Sequence, residues 1–333
     1  MSCSFNAVFI FATIFGVLVT AQCPNLVAQY QGATSRSMST NQTWVIVPVP
    51  SDDVQKAVEE TTLPQFDAPG LLIGKLSLLP VPAEYGIADG YHPVLASSGL
   101  MTDIRQDKLQ LNKPLIGSSL IVPFVGKSGS QTPFNRPIIT YLAGTGDGGE
   151  ALLYGAVPSL VATLLGGILT KAGQFIPNNA AYQRDATLPD GRPIYSRNSK
   201  WASVPNPVSG PGVYPEAFDL HFSPEPNPRY SIELFRKAIN QPYLLNFPLS
   251  GKCQRNTYYF DNATAEVQFR SGNATFGPAA SANGLTAAFM KTTPNGDFFG
   301  VHGFSACAQL VGYDTLSGQD CEEAAKQVDP TAL

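Results

Sequence analysis

The sequence predicts an α+β fold in which antiparallel strands close into a barrel or cone and helices lie at its periphery. Many short apolar or β-branched segments recur along the chain, and only a few segments have a helical pattern. Asn-Gly pairs at Asn283-Gly284 and Asn295-Gly296 are turn signals beside such segments. Because no internal repeat or low-complexity linker divides the chain, we expect a single domain over 41–333, preceded by an N-terminal arm over 22–40.

Strands are predicted where apolar and β-branched residues cluster between prolines and glycines. The first covers 43–50, TWVIVPVP, and a helix over 51–60 follows directly, its start marked by Ser51 and two aspartates. Further helices are predicted over 150–170 and 230–239. The remaining predicted strands are 70–81, 91–97, 118–125, 137–142, 255–260, 265–270, 285–290 and 297–301.

The first 21 residues are typical of a secretory signal peptide. An apolar run from Phe5 to Val19 is followed by small residues up to Ala21, where we expect cleavage. The run is short for a membrane span, which needs about 20 apolar residues. No Lys or Arg precedes it, so an uncleaved anchor is the alternative.

Sequons and cysteines also indicate the secretory pathway. Asn-x-Thr sequons begin at Asn41, Asn262 and Asn273, and such sites are glycosylated only during export. Signal cleavage leaves four cysteines without a C-x-x-C pair, which favours two disulfides over a zinc site. These cysteines are Cys23, Cys253, Cys307 and Cys321. Of the three possible pairings, we favour Cys307 with Cys321 and Cys23 with Cys253.

The composition excludes some classes of partner. Charged residues make up 14% of the chain, against about 25% in an average soluble protein. A net charge of −4 and the absence of a basic run argue against a nucleic-acid partner. No long basic amphipathic helix is present, so we expect no stable membrane association after signal cleavage.

A glycine pattern at 144–149 raises the question of a dinucleotide site. Gly144, Gly146 and Gly149 form G-x-G-x-x-G between an apolar segment and a helix-like one. A Rossmann site also requires repeated βαβ units and an acidic residue about 20 positions later, and that stretch reads GGILTKAG. We therefore interpret the pattern as a glycine-rich turn between a strand and a helix.

Metal and serine-hydrolase sites have little support. The three histidines, His92, His221 and His302, lie far apart, and neither H-E-x-x-H nor G-x-S-x-G occurs. Two lysines have apolar surroundings, Lys75 and Lys171. Desolvation lowers the pKa of a lysine and allows Schiff-base chemistry, although a lysine extending along apolar surface toward water is the simpler interpretation.

Several segments, taken in order, resemble the acetoacetate decarboxylase-like superfamily, in particular a secreted fungal branch. The resemblance covers roughly residues 41–260. The matching segments are WVIVPVPSDDVQKAV, APGLLIGKLSLLPV, GYHPVLASSGLMTDIR, GSSLIVPFV, PIITYLAGTGDGGEALLYGAVPSL, VPNPVSGPGVYPEAFDL, and INQPYLL with CQRNTYYF. The resemblance implies an antiparallel β-cone around an apolar cavity, and a lysine that forms an imine with a β-keto acid before carbon dioxide leaves, without a cofactor.

One departure from the family pattern concerns the nucleophile. The family's lysine pair falls on VPSL at 157–160, where Ser159 replaces a lysine. The resemblance then makes Lys75 the first replacement candidate and Lys171 the second. It also implies that His92, Arg105 and Glu150 lie nearest the cavity.

We therefore expect a secreted decarboxylase that acts on a β-keto acid. Its substrate would be a polyketide-derived acid of fungal secondary metabolism, such as toxin biosynthesis. Three alternatives stay open. An aldol, dehydration or cyclisation reaction would use the same fold on a related keto substrate. A non-catalytic binder of an apolar ligand would retain the cone without the lysines. A secreted structural or effector protein would need neither property.

Overall fold

The computed structural model describes residues 23–60, 76–127, 129–146, 148–202, 217–246, 249, 251–260, 267–277, 280 and 284–333. The strands are β1 (Ser35–Pro50), β2 (Leu76–Leu78), β3 (Tyr91–Gln106), β4 (Leu109–Leu111), β5 (Leu115–Lys127), β6 (Phe134–Gly144), β7 (Thr170–Ile176), β8 (Gln183–Thr187), β9 (Pro193–Trp201), β10 (Ala217–Pro224), β11 (Tyr243–Leu244), β12 (Cys253–Tyr259), β13 (Gln268–Phe276) and β14 (Asp297–Tyr313). The α-helices are α1 (Ser51–Glu60), α2 (Gly148–Leu164), α3 (Ile232–Ile239), α4 (Leu285–Thr292) and α5 (Cys321–Lys326). The predicted α+β class is confirmed.

Nine strands form a closed barrel. The pairing runs β6-β7-β9-β10-β13-β14-β1-β3-β5 and returns from β5 to β6. Eight of these pairs are antiparallel, whereas β6 and β7 are parallel. An odd number of strands cannot close with antiparallel pairs alone, so one parallel pair is required. The barrel is therefore mixed, where the sequence predicts an antiparallel one.

A second closure lies beside the barrel. The short strand β11 pairs with β6, and its antiparallel partner β12 pairs with β14. The β11–β12 pair therefore links two barrel strands from outside the nine-stranded ring. It encloses space against β1, β3, β5 and β6, on the side of these four strands that faces away from the barrel.

Hydrogen bonds show which side of β1 and β3 faces the inside of the barrel, here called the lumen. Arg197 of β9 donates from Nε to the Ser98 hydroxyl of β3 at 3.4 Å, although β9 and β3 are not neighbours in the ring. Ser98 pairs with Thr43 of β1, so both lie on the lumen side. Because side chains alternate along a strand, odd positions of β1 face the lumen and even positions face outward.

The lumen is filled by a mainly apolar core with buried polar pairs. Val45, Val47 and Val49 of β1 belong to a buried cluster that also contains the apolar sides of α1 and α4. Within the lumen, Thr43 and Ser305 share a hydrogen bond of 2.7 Å, and the Arg270 Nε donates to Ser305 at 3.0 Å. Arg197 and Arg270 are almost fully buried.

The N-terminal segment lies against the lumen side of β1, β3 and β14. Cys23 is bonded to Cys307 of β14, and Asn25 donates to the Asp103 carbonyl of β3 at 2.9 Å. The Gln309 side chain accepts a hydrogen bond from the Leu26 N–H and donates one to the Pro24 carbonyl, each at 2.8 Å. β1 begins at Ser35, so the predicted arm is shorter than 22–40 and its final residues belong to the barrel.

The favoured disulfide pairing is wrong. The structure pairs Cys23 with Cys307 and Cys253 with Cys321, with Cα–Cα distances of 5.7 and 4.8 Å. The backbone of Cys253 pairs with that of Gln319 in an isolated antiparallel β-bridge. This bridge brings the start of β12 beside the start of α5. Tertiary adjacency, rather than the short separation of Cys307 and Cys321 along the chain, decides the pairing.

Two parts of the predicted secondary structure are also wrong. The strand predicted over 285–290 is helix α4, because leucine, alanine and methionine in LTAAFM favour a helix. Strands β7 to β10 were not predicted, since their sequences mix polar residues, glycine and proline. The turn predicted at Asn295 is present, with φ at 63°. Position 283 lies outside the described residues.

Candidate functional site

A cavity of about 350 Å³ lies on the outward side of β1, β3, β5 and β6. Its floor is formed by even-numbered residues of β1, and strands β11 and β12 and helix α2 cover it. The cavity is thus separated from the lumen by one layer of strands. The lining residues of β1 are Arg36, Met38, Thr40, Gln42 and Trp44.

Most of the cavity surface is apolar. The apolar lining side chains come from six strands, from α2 and from the segments that flank α2 and β14. They include Leu95, Met101, Ile104, Leu109, Leu111, Leu115, Ile121, Leu142, Val157, Val161, Ile168, Leu310 and Leu316. Trp44 also belongs to an aromatic cluster, stacking on Phe304 with ring centroids 5.0 Å apart.

A polar group lies at the part of the cavity bordered by β12. Arg36, Tyr258 and Tyr243 contribute to the lining, together with Gln254 and Asn256. The Gln254 amide donates to Asn256 Oδ1 at 2.8 Å, and the Tyr243 hydroxyl donates to the carbonyl of Ile239 at 3.2 Å. A cation, two phenols and two amides therefore lie together at one part of a mainly apolar space.

Burial determines the protonation of this group. Desolvation raises the pKa of Tyr258 to about 12, although the charge of Arg36 and a hydrogen bond with Tyr243 oppose the rise. Burial raises the pKa of Tyr243 as well. Desolvation lowers the pKa of the Arg36 guanidinium, while the Tyr258 phenol opposes this effect. At neutral pH both phenols retain their protons and can donate hydrogen bonds.

Arg36 is an incompletely satisfied donor. Its Nε is buried and has no hydrogen-bond partner. An unpaired buried donor costs about 1–3 kcal/mol, which a bound acceptor would recover. Among the described residues that line the cavity, Arg36 is the one permanent charge, and no Lys, His, Asp or Glu is present. The cavity is therefore suited to a small molecule with an apolar body and an anionic or carbonyl oxygen.

None of the predicted site residues that the structure describes lines the cavity. Lys75 lies outside the described residues. Lys171 of β7 pairs with Tyr141, and its Nζ lies 3.8 Å above the centre of the Trp201 ring. Arg105 forms an ion pair with Asp103, with 2.8 Å between Nε and Oδ1.

His92 and Glu150 also have partners outside the cavity. His92 is buried, its Nε2 lies 2.7 Å from the Pro123 carbonyl, and burial lowers its pKa to about 4. Glu150 is exposed near the start of α2, where Lys113 pairs with it. Neither of them, nor Arg105 or Lys171, contributes to the lining of the cavity. Whether any of these residues acts in catalysis stays a prediction.

The glycine-rich segment is a turn, as its sequence suggests. β6 ends at Gly144, Gly146 has φ at 105°, and α2 begins at Gly148. A side chain at Gly155 of α2 would overlap the backbone of Ala143, so this glycine lets the helix approach β6. Ser159, at the expected lysine position, donates to the Gly155 carbonyl at 2.8 Å.

Sequence reasoning missed the polar group of the cavity. Arg36 fell within the segment interpreted as a polar arm, and Tyr243 and Tyr258 were not considered. A usable signal was the alternation in SRSMSTNQTW at 35–44, where a serine, threonine or asparagine stands at every odd position. Lys200 was also missed; it is 2% exposed on β9, in register with Ala217 of β10.

The predicted modification sites differ in exposure. Asn273 is exposed on β13, Asn41 is half-buried in β1, and Asn262 lies outside the described residues. Glycosylation at these positions stays a prediction. Among the described helices, none is long and apolar enough to cross a membrane. The same residues contain no group of three His, Cys, Asp or Glu side chains arranged to hold a metal.

Comparisons with known proteins give only distant structural similarities. No family model and no curated protein matches the sequence. One similar structure is the enduracididine biosynthesis enzyme MppR, complexed with the condensation product of pyruvate and imidazole 4-carboxaldehyde. It is 11% identical, with a TM-score of 0.40, over 84% of this chain and 87% of that one.

A second similar structure is an acetoacetate decarboxylase-like enzyme from Sphingomonas wittichii RW1. It is 9% identical, with a TM-score of 0.36, over 84% of this chain and 90% of the other. At TM-scores below 0.5, neither similarity assigns a substrate or a reaction to this chain.

Proposed function

We propose that the cavity binds a small carboxylic acid with an apolar body, and that the chain decarboxylates such an acid when it carries a β-keto group. The observation that carries the proposal is the buried, unpartnered Nε of Arg36 beside the protonated Tyr258 phenol in an apolar cavity. A polyketide-type acid would place its alkyl chain against the leucines and methionines of the lining.

The reaction needs a group that accepts the electron pair of the broken carbon–carbon bond. When the bond between the carboxylate carbon and the α-carbon breaks, carbon dioxide leaves and the electron pair moves to the ketone oxygen as an enolate. Arg36 and Tyr258 would donate hydrogen bonds to that oxygen, where charge develops, and such preorganised donors stabilise transition states strongly in a dry site. A proton from solvent water then adds to the α-carbon and gives the ketone.

Imine formation on a lysine is the rival chemistry within this function. It would use Lys75, which lies outside the described residues, or Lys171 on the lumen side. The Trp201 ring beneath the Lys171 amine favours the charged ammonium, which is not nucleophilic. Under this chemistry Glu150, Arg105 and His92 would position the acid.

Binding without chemistry is the second candidate. It is favoured by the absence of lysine, histidine and carboxylate side chains from the described lining of the cavity. Secretion, as the sequence predicts, would suit a carrier of an apolar acid as well as an enzyme.

The experiment follows carbon dioxide and bound acid separately. Protein is mixed with a medium-chain β-keto acid labelled with carbon-13 at the carboxyl, and release is compared with that of heat-denatured protein. Calorimetry with the matching saturated fatty acid measures binding alone. Arg36→Met removes the donor, Tyr258→Phe removes only the hydroxyl, and Ser119→Ala is the control within the lining.

We expect enzymatic release of carbon dioxide that falls about a hundredfold in Arg36→Met, the usual loss for one preorganised donor. Tyr258→Phe should lose less, and Ser119→Ala should be unchanged. Binding of the acid without release of carbon dioxide would show that the protein is a carrier and not a decarboxylase. Full activity and affinity in Arg36→Met would overturn the assignment of this cavity, and a borohydride-reduced adduct on a lysine would establish the imine route instead.

A further inference from the structure

Exposed apolar side chains are concentrated on helix α2 and the residue after it. Leu153 is 71% exposed and Val157 is 67% exposed. These two belong to a row at helical spacing that covers one side of the helix. The row consists of Leu153, Val157, Leu160, Val161, Leu164 and Leu165.

The opposite side of α2 explains why this row faces outward. Ala151 and Ser159 are buried, and Gly155 fits against Ala143 of β6. The helix is therefore held to the barrel by its small residues, and its large residues remain outside. From 151 to 170 the sequence contains no charged residue, so no charge in this stretch favours contact with water.

The row is continuous with the entrance of the cavity. Val157 and Val161 are exposed and also line the cavity. The same is true of Leu109 of β4, which is 75% exposed, and of Leu316, which follows β14. Side chains from three separate parts of the chain thus surround one opening. The six residues of the row, with Leu109 and Leu316, are here called the mouth patch.

Charges beside the mouth patch are balanced. Lys113 forms an ion pair with Glu150 at the start of α2. Lys108 follows Asp107 in the turn before Leu109, and both are exposed. A neutral rim provides no attraction to anionic lipid, so burial of apolar surface would drive the binding, and a zwitterionic lipid surface with hydrocarbon beneath its head groups is sufficient for it.

We propose that the mouth patch docks reversibly on a lipid surface, so that an apolar acid passes from the lipid into the cavity. The choice of lipid as the occupant and the passage of the acid both rest on the proposed function. A second copy of the chain seated on the same residues would cover the opening that they surround. Lipid does not close the opening in this way, because its acyl chains are mobile and miscible with an apolar acid.

Vesicle flotation tests the docking directly. The full chain is mixed with phosphatidylcholine vesicles, and the bound fraction is measured at low and high salt. Leu160→Gln combined with Leu164→Gln removes apolar surface from the mouth patch at two residues that do not line the cavity. Phe299→Gln, at a residue 76% exposed on β14, is the matched control outside the patch.

We expect binding that is insensitive to salt, about tenfold weaker in the double variant and unchanged in Phe299→Gln. Absence of binding to these vesicles would overturn the proposal. Concentration-dependent dimerisation that the double variant abolishes, measured by light scattering without lipid, would overturn it in favour of a second copy. Carbon dioxide release from a short, water-soluble β-keto acid should be equal in the double variant and the wild type, which separates this test from that of the proposed function.

Discussion

His92 makes the stability of the barrel dependent on pH. Its buried ring donates from Nε2 to the Pro123 carbonyl at 2.7 Å, and burial lowers its pKa to about 4 from an ordinary value of 6.5. The unfolded chain therefore binds a proton that the folded chain refuses. This contribution to stability is fully present above pH 6.5, is lost progressively as the pH falls from 6.5 to 4, and amounts to about 3 kcal/mol in total. At about pH 5 the loss is about 2 kcal/mol.

Urea unfolding at about pH 8 and pH 5 measures this loss, and His92→Gln removes it. Glutamine retains an N–H donor for Pro123 but does not titrate. Any constant cost of the substitution cancels when each protein is compared with itself at the two pH values. The free energy of unfolding should fall between pH 8 and pH 5 by about 2 kcal/mol less in His92→Gln than in the wild type.

The matched control is His221→Gln. Burial also lowers the pKa of His221, but the ring is half-buried and Asp185, 3.6 Å away, favours its charged form. This control should therefore retain most of the wild-type pH dependence. An equal pH dependence in His92→Gln and the wild type would refute the assignment of the loss to His92.

Three further predictions concern covalent and backbone features. Cys23→Ser should cost more stability than Cys321→Ser, by about 1 kcal/mol in the chain-entropy account, because the disulfides span 284 and 68 residues; urea unfolding compares them. Gly303→Ala should destabilise by about 1–3 kcal/mol in the same assay, since a Cβ would overlap the Trp44 carbonyl. Asn273→Gln should remove one glycan from protein secreted by a eukaryotic host, as a mass decrease detected by spectrometry; an unchanged mass would exclude this site.

Strands that carry a clear pattern were predictable from the sequence. β1, β5 and β6 contain runs of β-branched residues, and helix α1 has the predicted bounds Ser51–Glu60. β9 could not be predicted in this way because five successive residues, 196–200, are buried and all are polar. Their burial depends on neighbouring strands, which no local pattern reveals. The same limit applies to the disulfides.

The candidate site was harder to predict than the fold. Its cation stands at the second residue of β1, and its phenols come from two strands about 200 residues later. Composition and spacing contain no signal for such a meeting. The resemblance directed attention to lysines and carboxylates, whereas the described lining of the cavity contains a guanidinium, two phenols and four amides in their place.

The strands β1, β3 and β5 serve two interiors at once, and this constrains where chemistry can occur. On each strand, alternate side chains enter the lumen. There Arg197 and Arg270 donate hydrogen bonds to serines and lie over aromatic rings. The other side chains enter the cavity, where Arg36 has a free Nε. A one-residue shift in the register of β1 would exchange these environments and place Arg36 among the core side chains. Ser39 of β1 donates to the Cys23 carbonyl, and β14 holds the same segment through the Cys23–Cys307 disulfide and the hydrogen bond from Gln309 to the Pro24 carbonyl. These contacts oppose such a shift, so the N-terminal segment stabilises the position of Arg36, the one permanent charge among the described lining residues.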